Sequence, residues 1–138
     1  MKTEKNQRPV ILRPSEIKSY ERGGGASTIP LVTASTGSTG MMNGITSFAP
    51  GAVIPFHSHN CEESVLLLEG EAALDFEGES ILLLPLDTTW VPAEVTHRFR
   101  NLSPNRPLKI FWTYARTDAT RTLVDSGETK FVSAEHKH

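Results

Sequence analysis

Residues 51–70 read Gly51-Ala52-Val53-Ile54-Pro55-Phe56-His57-Ser58-His59-Asn60-Cys61-Glu62-Glu63-Ser64-Val65-Leu66-Leu67-Leu68-Glu69-Gly70. His57, His59 and Glu63 are all odd-numbered. On an extended strand side chains alternate between faces, so all three point the same way. Two imidazoles and a carboxylate on one face are most of a first-row metal site. A fourth ligand must come from elsewhere, and the only other histidine in the middle of the chain is His97.

Outward from this stretch, short apolar or alternating runs recur between turn residues. Upstream, Val10–Leu12 is a short apolar run, Ser15 starts a possible helical turn, and Gly23-Gly24-Gly25 reads as a turn or connector. Ile29–Ala34 reads as an edge strand containing Pro30. Ser35–Gly40 is a turn by composition, and Met42–Phe48 is a strand. Downstream, Val65–Leu68 is a continuous apolar run that predicts a strand buried on both sides. Ala72–Phe76, Ile81–Leu84, Thr88–Val91, His97–Asn101 and Leu108–Tyr114 read as further strands. Residues 120–124 and 129–132 fit either a hairpin or an arm packed on a second subunit. This spacing, with no amphipathic helix of ten residues or more, predicts an all-β sandwich or barrel.

The 138 residues fit one domain, 1–138. A net charge of −2 with interspersed signs gives no nucleic-acid patch. No apolar run reaches the ~18 residues of a membrane span. The N-terminus lacks the apolar stretch of a secretory signal, and a single cysteine excludes an intrachain disulfide. A cytoplasmic protein without nucleic-acid or membrane partners is expected. Residues 1–9 are polar and expected to be loose.

The two histidine stretches resemble the paired motifs of the cupin superfamily. The first motif (Gly, five residues, His-x-His, three or four residues, Glu, six residues, Gly) is matched by Gly51, His57, His59, Glu63 and Gly70. The second is matched at Pro92, His97 and Asn101. Leu86 and Glu94 stand where that family prefers glycine, which predicts turns of different shape there. The resemblance covers roughly residues 30–115. It implies a double-stranded β-helix, or jelly-roll barrel, with its core at about 29–115, an N-terminal extension 1–28 and a C-terminal arm 116–138. It also implies one divalent transition metal ion per chain (Fe, Mn, Ni, Cu or Zn), held by His57, His59, Glu63 and His97. Small cupins commonly dimerise through their sheets, so a homodimer is expected.

Around the ion, the pocket candidates are Phe56, Trp90, Phe99, Met42 and Trp112, with Ile45, Phe48 and Tyr114 adding to an apolar lining. Trp90 either lines the pocket or fills the core. Cys61 shares parity with the ligands and is either a small buried residue or a soft ligand or redox group. Glu62 is expected to face outward or to bond behind the site. Arg98 and Arg100 flank Phe99 on the other face and read as surface ion-pairing residues. Arg22 and Arg121 can anchor a substrate carboxylate, although no spacing ties them to the site. His136 and His138 read as part of a polar tail.

A mostly apolar pocket with few polar anchors suits a small organic substrate. The expected function is a metal-dependent enzyme of dioxygenase type, an oxidoreductase. The alternatives are a non-redox decarboxylase, lyase or isomerase, and a non-catalytic small-molecule-binding barrel.

Overall fold

The computed structural model describes residues 8–136; Met1–Gln7, and with them most of the expected loose segment, lie outside the described residues, as does His138. Among the described residues, twelve strands run in chain order: β1 Tyr20–Gly23, β2 Ala26–Pro30, β3 Met42–Phe48, β4 His57–His59, β5 Glu63–Glu69, β6 Ala72–Phe76, β7 Glu79–Leu83, β8 Thr88–Val91, β9 Arg98–Asn101, β10 Leu108–Tyr114, β11 Thr120–Leu123 and β12 Thr129–Phe131. Between and beside them lie 3-10 turns at Pro14–Glu16, Ala34–Thr36 and Val132–His136.

One layer is a six-stranded sheet in the order β1-β2-β3-β10-β5-β8. The facing layer consists of β12-β11-β4 and β7-β6-β9. Its two halves meet at the antiparallel bridges His57↔His97 and Val53↔Arg100, which place β4 beside β9. The result is a double-sheeted jelly roll. Strict alternation on β3 and β10 turns Met42, Phe48, Leu108, Ile110, Trp112 and Tyr114 inward, where they pack with Val65, Leu67 and Phe99.

The sheet begins earlier than residue 29. The triple glycine is the turn of the β1–β2 hairpin, and β2 pairs with β3 from Ala26↔Phe48 to Pro30↔Gly44. Residues 20–28, expected in an extension, therefore belong to the barrel. The C-terminal residues form a hairpin that pairs with β4 of the same chain, Arg121 opposite His59 and Leu123 opposite His57. Val65–Leu68 is buried on one face only: Val65 and Leu67 are inside, while Leu66 is half-buried and Leu68 exposed.

Leu86 and Glu94 do not change their turns. Both take the left-handed conformation that glycine favours, at φ 78° and 67°. The turn at Leu86 is closed from both sides, because its N–H donates to the Leu67 carbonyl and Asp87 caps the Leu84 N–H. The surrounding hydrogen bonds overcome a backbone cost of about 1–2 kcal/mol per residue.

Gly44 is required for space. A Cβ there would lie 2.5 Å from Trp112 Cζ2 and 2.7 Å from the Ile29 carbonyl oxygen. The indole cannot yield freely, since its Nε1 donates to Thr46 Oγ1 at 2.8 Å and Thr46 bonds Thr28 at 2.9 Å. Gly44→Ala is expected to destabilise the fold by about 2 kcal/mol through overpacking. Urea unfolding with a tryptophan fluorescence readout measures both the loss and the displaced indole.

Candidate metal centre

His57, His59 and His97 converge because of backbone pairing. The His57 N–H donates to the His97 carbonyl at 3.0 Å, and the His97 N–H donates back at 2.9 Å. Two residues far apart in sequence thus become direct cross-strand neighbours, and their rings lie 4.6 Å apart. His59, two positions along β4, brings its ring to 4.8 Å from His57 and 5.5 Å from His97. All three are buried, with one nitrogen of each within 4.8 Å of the others. Glu63, the first residue of β5, enters from the opposite sheet. Its Oε1 lies 2.9 Å from His97 Nε2 and 3.6 Å from His59 Nε2.

The tautomers follow from the backbone. Each Nδ1 faces a carbonyl oxygen: Pro55 for His57 at 2.8 Å, Thr120 for His59 at 2.8 Å and Val95 for His97 at 2.9 Å. A carbonyl only accepts, so each Nδ1 carries the donated proton and each Nε2 lone pair is directed into the site. This is the second-sphere arrangement of metal-binding histidines. At His97 it sets an Nε2 acceptor against a carboxylate oxygen at 2.9 Å. Two acceptors at that distance require a positive charge between them, either a shared proton or a cation. The donor set therefore fits a divalent transition ion.

Electrostatics agree. Burial, then the positive charge of Arg121, holds the His57 pKa well below its ordinary value. Burial lowers His59 to about 4, against the pull of Glu63. Burial pushes Glu63 upward, but its polar contact with His97 and the positive field of the surrounding histidines and Arg121 outweigh it, and the carboxyl stays below its usual range. At neutral pH the site presents neutral imidazoles on His57 and His59 and an ionised carboxylate.

A cavity of about 20 Å³ adjoins His57 and Glu63, room for a single water. Phe99 and Trp112 line it, as do Phe48 and Tyr114. Phe99 meets His97 edge-on at 5.8 Å. Tyr114 Oη approaches His59 Nε2 at 3.4 Å, and burial keeps its pKa well above the ordinary value, so it stays protonated.

Other pocket candidates lie elsewhere. Trp90 is 65% exposed on the outer face of β8, where Thr89 and Val91 take the inward positions, and its Nε1 donates to Glu62 Oε1 at 2.7 Å. Phe56 is next to His57 and so faces the other way, with the Arg98 guanidinium 4.2 Å over its ring. Met42 is buried in the core and does not line the cavity. Ile45 sits on the outer side of β3, and Thr46 takes the inward place. Cys61 is a buried core thiol outside the histidine cluster, its pKa raised by burial. Arg98 and Arg100 both clamp Asp75, at 2.8 and 2.7 Å. Asn101 braces the loop after β9 by donating to the carbonyls of Ala49 and Arg106.

Several cavity residues carry no motif. Thr28, Ile54, Arg121, Glu135 and His136 line it, as does Arg22. His136 is no free tail: its ring stacks on Trp112 at 5.9 Å and 24°. The hint for Arg121 lay in the alternation of its hairpin, but only the pairing with β4 aims it at the histidines.

A family model described as the cupin domain matches residues 44–114. The polyketide synthase CurC of Streptomyces cyaneus is 30% identical over 105 residues, 75% of this chain and 68% of that protein. Quercetin 2,3-dioxygenase of Bacillus subtilis (strain 168) is 33% identical over 97 residues, 70% of this chain but only 28% of that enzyme. In fold, the structure of the polyketide cyclase RemF from Streptomyces resistomycificus superposes with a TM-score of 0.73 at 16% identity, covering 91% of this chain and 86% of that one. A jelly roll whose two histidine strands are bridged at His57 and His97, matched by that domain model over half its length, belongs to the cupin family.

Proposed function

We propose that this chain is a metal-dependent enzyme acting on a small organic molecule, with one divalent first-row ion held by His57, His59, His97 and Glu63. The observation that carries the reading is the set of three Nδ1–H groups committed to carbonyls, which frees the three Nε2 lone pairs of a buried histidine cluster, with the Glu63 carboxylate beside those of His97 and His59. A bound ion of this class supplies Lewis acidity and, for iron or copper, redox access to dioxygen. The protein's own groups orient the reaction. Phe48, Phe99 and Trp112 exclude water, the Tyr114 hydroxyl offers a retained proton beside His59, and Arg121 adds a fixed positive charge.

The dioxygenase reading is supported by the likeness to quercetin 2,3-dioxygenase. A non-redox reaction is the second reading, favoured by the likeness to a polyketide synthase component. A panel of small enolic and carboxylic acids supplied to the iron-loaded protein, with and without oxygen, separates them. Oxygen uptake matching substrate loss, abolished under argon, is the expected result; conversion that continues under argon moves the assignment to the non-redox class.

We also read the chain as a cytoplasmic homodimer. No helix among the described residues is long and apolar enough to cross a membrane. Ile81, Leu82, Leu84 and Leu86 expose 42–73% of their surface on and after β7, an apolar strip that suits a subunit contact. Sedimentation equilibrium is expected to give twice the chain mass.

A further inference from the structure

Beside the histidines lies a second cluster that the metal does not use. Arg121 is buried on β11, opposite His59 in register. Its Nε donates to Glu135 Oε2 at 2.7 Å and its second terminal nitrogen to Oε1 at 3.3 Å. Arg22, on β1, reaches the same carboxylate at 3.5 Å. Burial and the neighbouring charge of Arg121 lower the Arg22 pKa, and Glu135 opposes them. Two guanidiniums, one buried and one half-buried, converging on one half-buried carboxylate make a fork for a planar carboxylate.

The occupant of that fork comes from a short segment. Glu135 belongs to the 3-10 turn Val132–His136. The turn is tied down by buried Val132, whose N–H donates to the Ala119 carbonyl at 2.9 Å, and by His136 on Trp112. An outer pocket of about 390 Å³, walled by Glu21, Pro55 and Lys130, lies on the other side. Arg22, Arg121 and Glu135 line both this pocket and the small cavity at the histidines. They form the partition between a space large enough for an organic molecule and one that is not.

We propose that Arg22 and Arg121 form a carboxylate-binding subsite of the metal centre, which Glu135 fills as an internal ligand until a small organic carboxylate displaces it. The turn then leaves Trp112, and the outer pocket opens onto the histidines. The substrate class follows: a small organic acid whose carboxylate binds the arginines while its remainder extends toward the ion. The place of the subsite in catalysis rests on the metal-enzyme reading; its affinity for carboxylates does not.

Benzoate and its neutral isostere benzamide are the probes, titrated calorimetrically into the full chain as purified and again after EDTA treatment. Glu135→Gln is expected to bind benzoate about ten-fold tighter than the wild type, because the competing internal ligand is weakened. Benzamide should bind no tighter, and adding Arg121→Gln should erase the gain. No tightening, tightening that survives Arg121→Gln, or a gain that disappears with EDTA overturns the proposal. Should Glu135→Gln fail to fold, hydrogen exchange in the wild type decides. Benzoate must speed exchange across Val132–His136, and unchanged or slower exchange there overturns it. Purified protein without metal would sink the enzyme reading and leave these outcomes as they are.

Discussion

His97→Ala is expected to abolish stoichiometric metal in the purified protein and to weaken added Zn(II) by at least ~100-fold, more than the usual loss for a residue behind the ligands. The reason is double. One imidazole is lost, and the Glu63 carboxylate loses its 2.9 Å partner inside a buried site. The backbone bridge survives, since His57 and His97 exchange main-chain hydrogen bonds that alanine also makes. The variant should therefore stay folded, and circular dichroism checks this. His136→Ala should leave metal content unchanged, as its ring lies on Trp112. Normal metal content in both His57→Ala and His97→Ala would end the assignment.

The histidine pair was legible because the side-chain period of a strand is two, which puts His57 and His59 on one face of β4. Glu63 is a correction to that reading: the chain leaves β4 after His59, and Glu63 opens β5 in the opposite sheet, so it meets the histidines across the barrel and not along one strand. The same rule, applied strictly, excludes Phe56, which is adjacent to His57 and stacks outward under Arg98. Trp90 shows a different limit. Its strand is short, and an apolar ring there is satisfied by an outward hydrogen bond to Glu62. Leu86 and Glu94 show that a turn can impose a left-handed backbone on residues that disfavour it, so a missing glycine did not mean a missing turn. Arg121, Glu135 and His136 were opaque for a topological reason. Their positions depend on β11 pairing with β4 across some sixty residues and on a 3-10 turn beyond it. No local pattern encodes such a register, and the arginines entered the sequence reading only as unplaced charges.

Acid should destabilise the metal-free chain well before ordinary carboxylates titrate. His59 has its pKa lowered from 6.5 to about 4, first by burial. Its unfolded form takes up a proton as pH falls through about 6.5, while the folded form resists until about 4. Over that window the unfolded state binds more protons, so stability falls with falling pH. The side chain is only 1% exposed, so solvent screening removes little of the effect. A shift of this size corresponds to a loss on the order of 3 kcal/mol by pH 4. His57, lowered further by burial and by Arg121, acts in the same direction. Glu63 adds to it at lower pH, because a carboxyl held below its ordinary 4.5 gives stability that is present above that value and lost beneath it. Urea midpoints of the EDTA-treated chain should therefore be flat from pH 8 to 7 and fall steeply from 6.5 to 4. His59→Gln should flatten the slope by roughly one proton's worth. Saturating Zn(II) should shift the fall to lower pH, since an ion bound only to the folded state adds stability by mass action. A metal-free wild type whose midpoint stays constant between pH 7 and 4.5 would mean that these imidazoles are neither buried nor neutral, and the candidate site would lose its electrostatic basis.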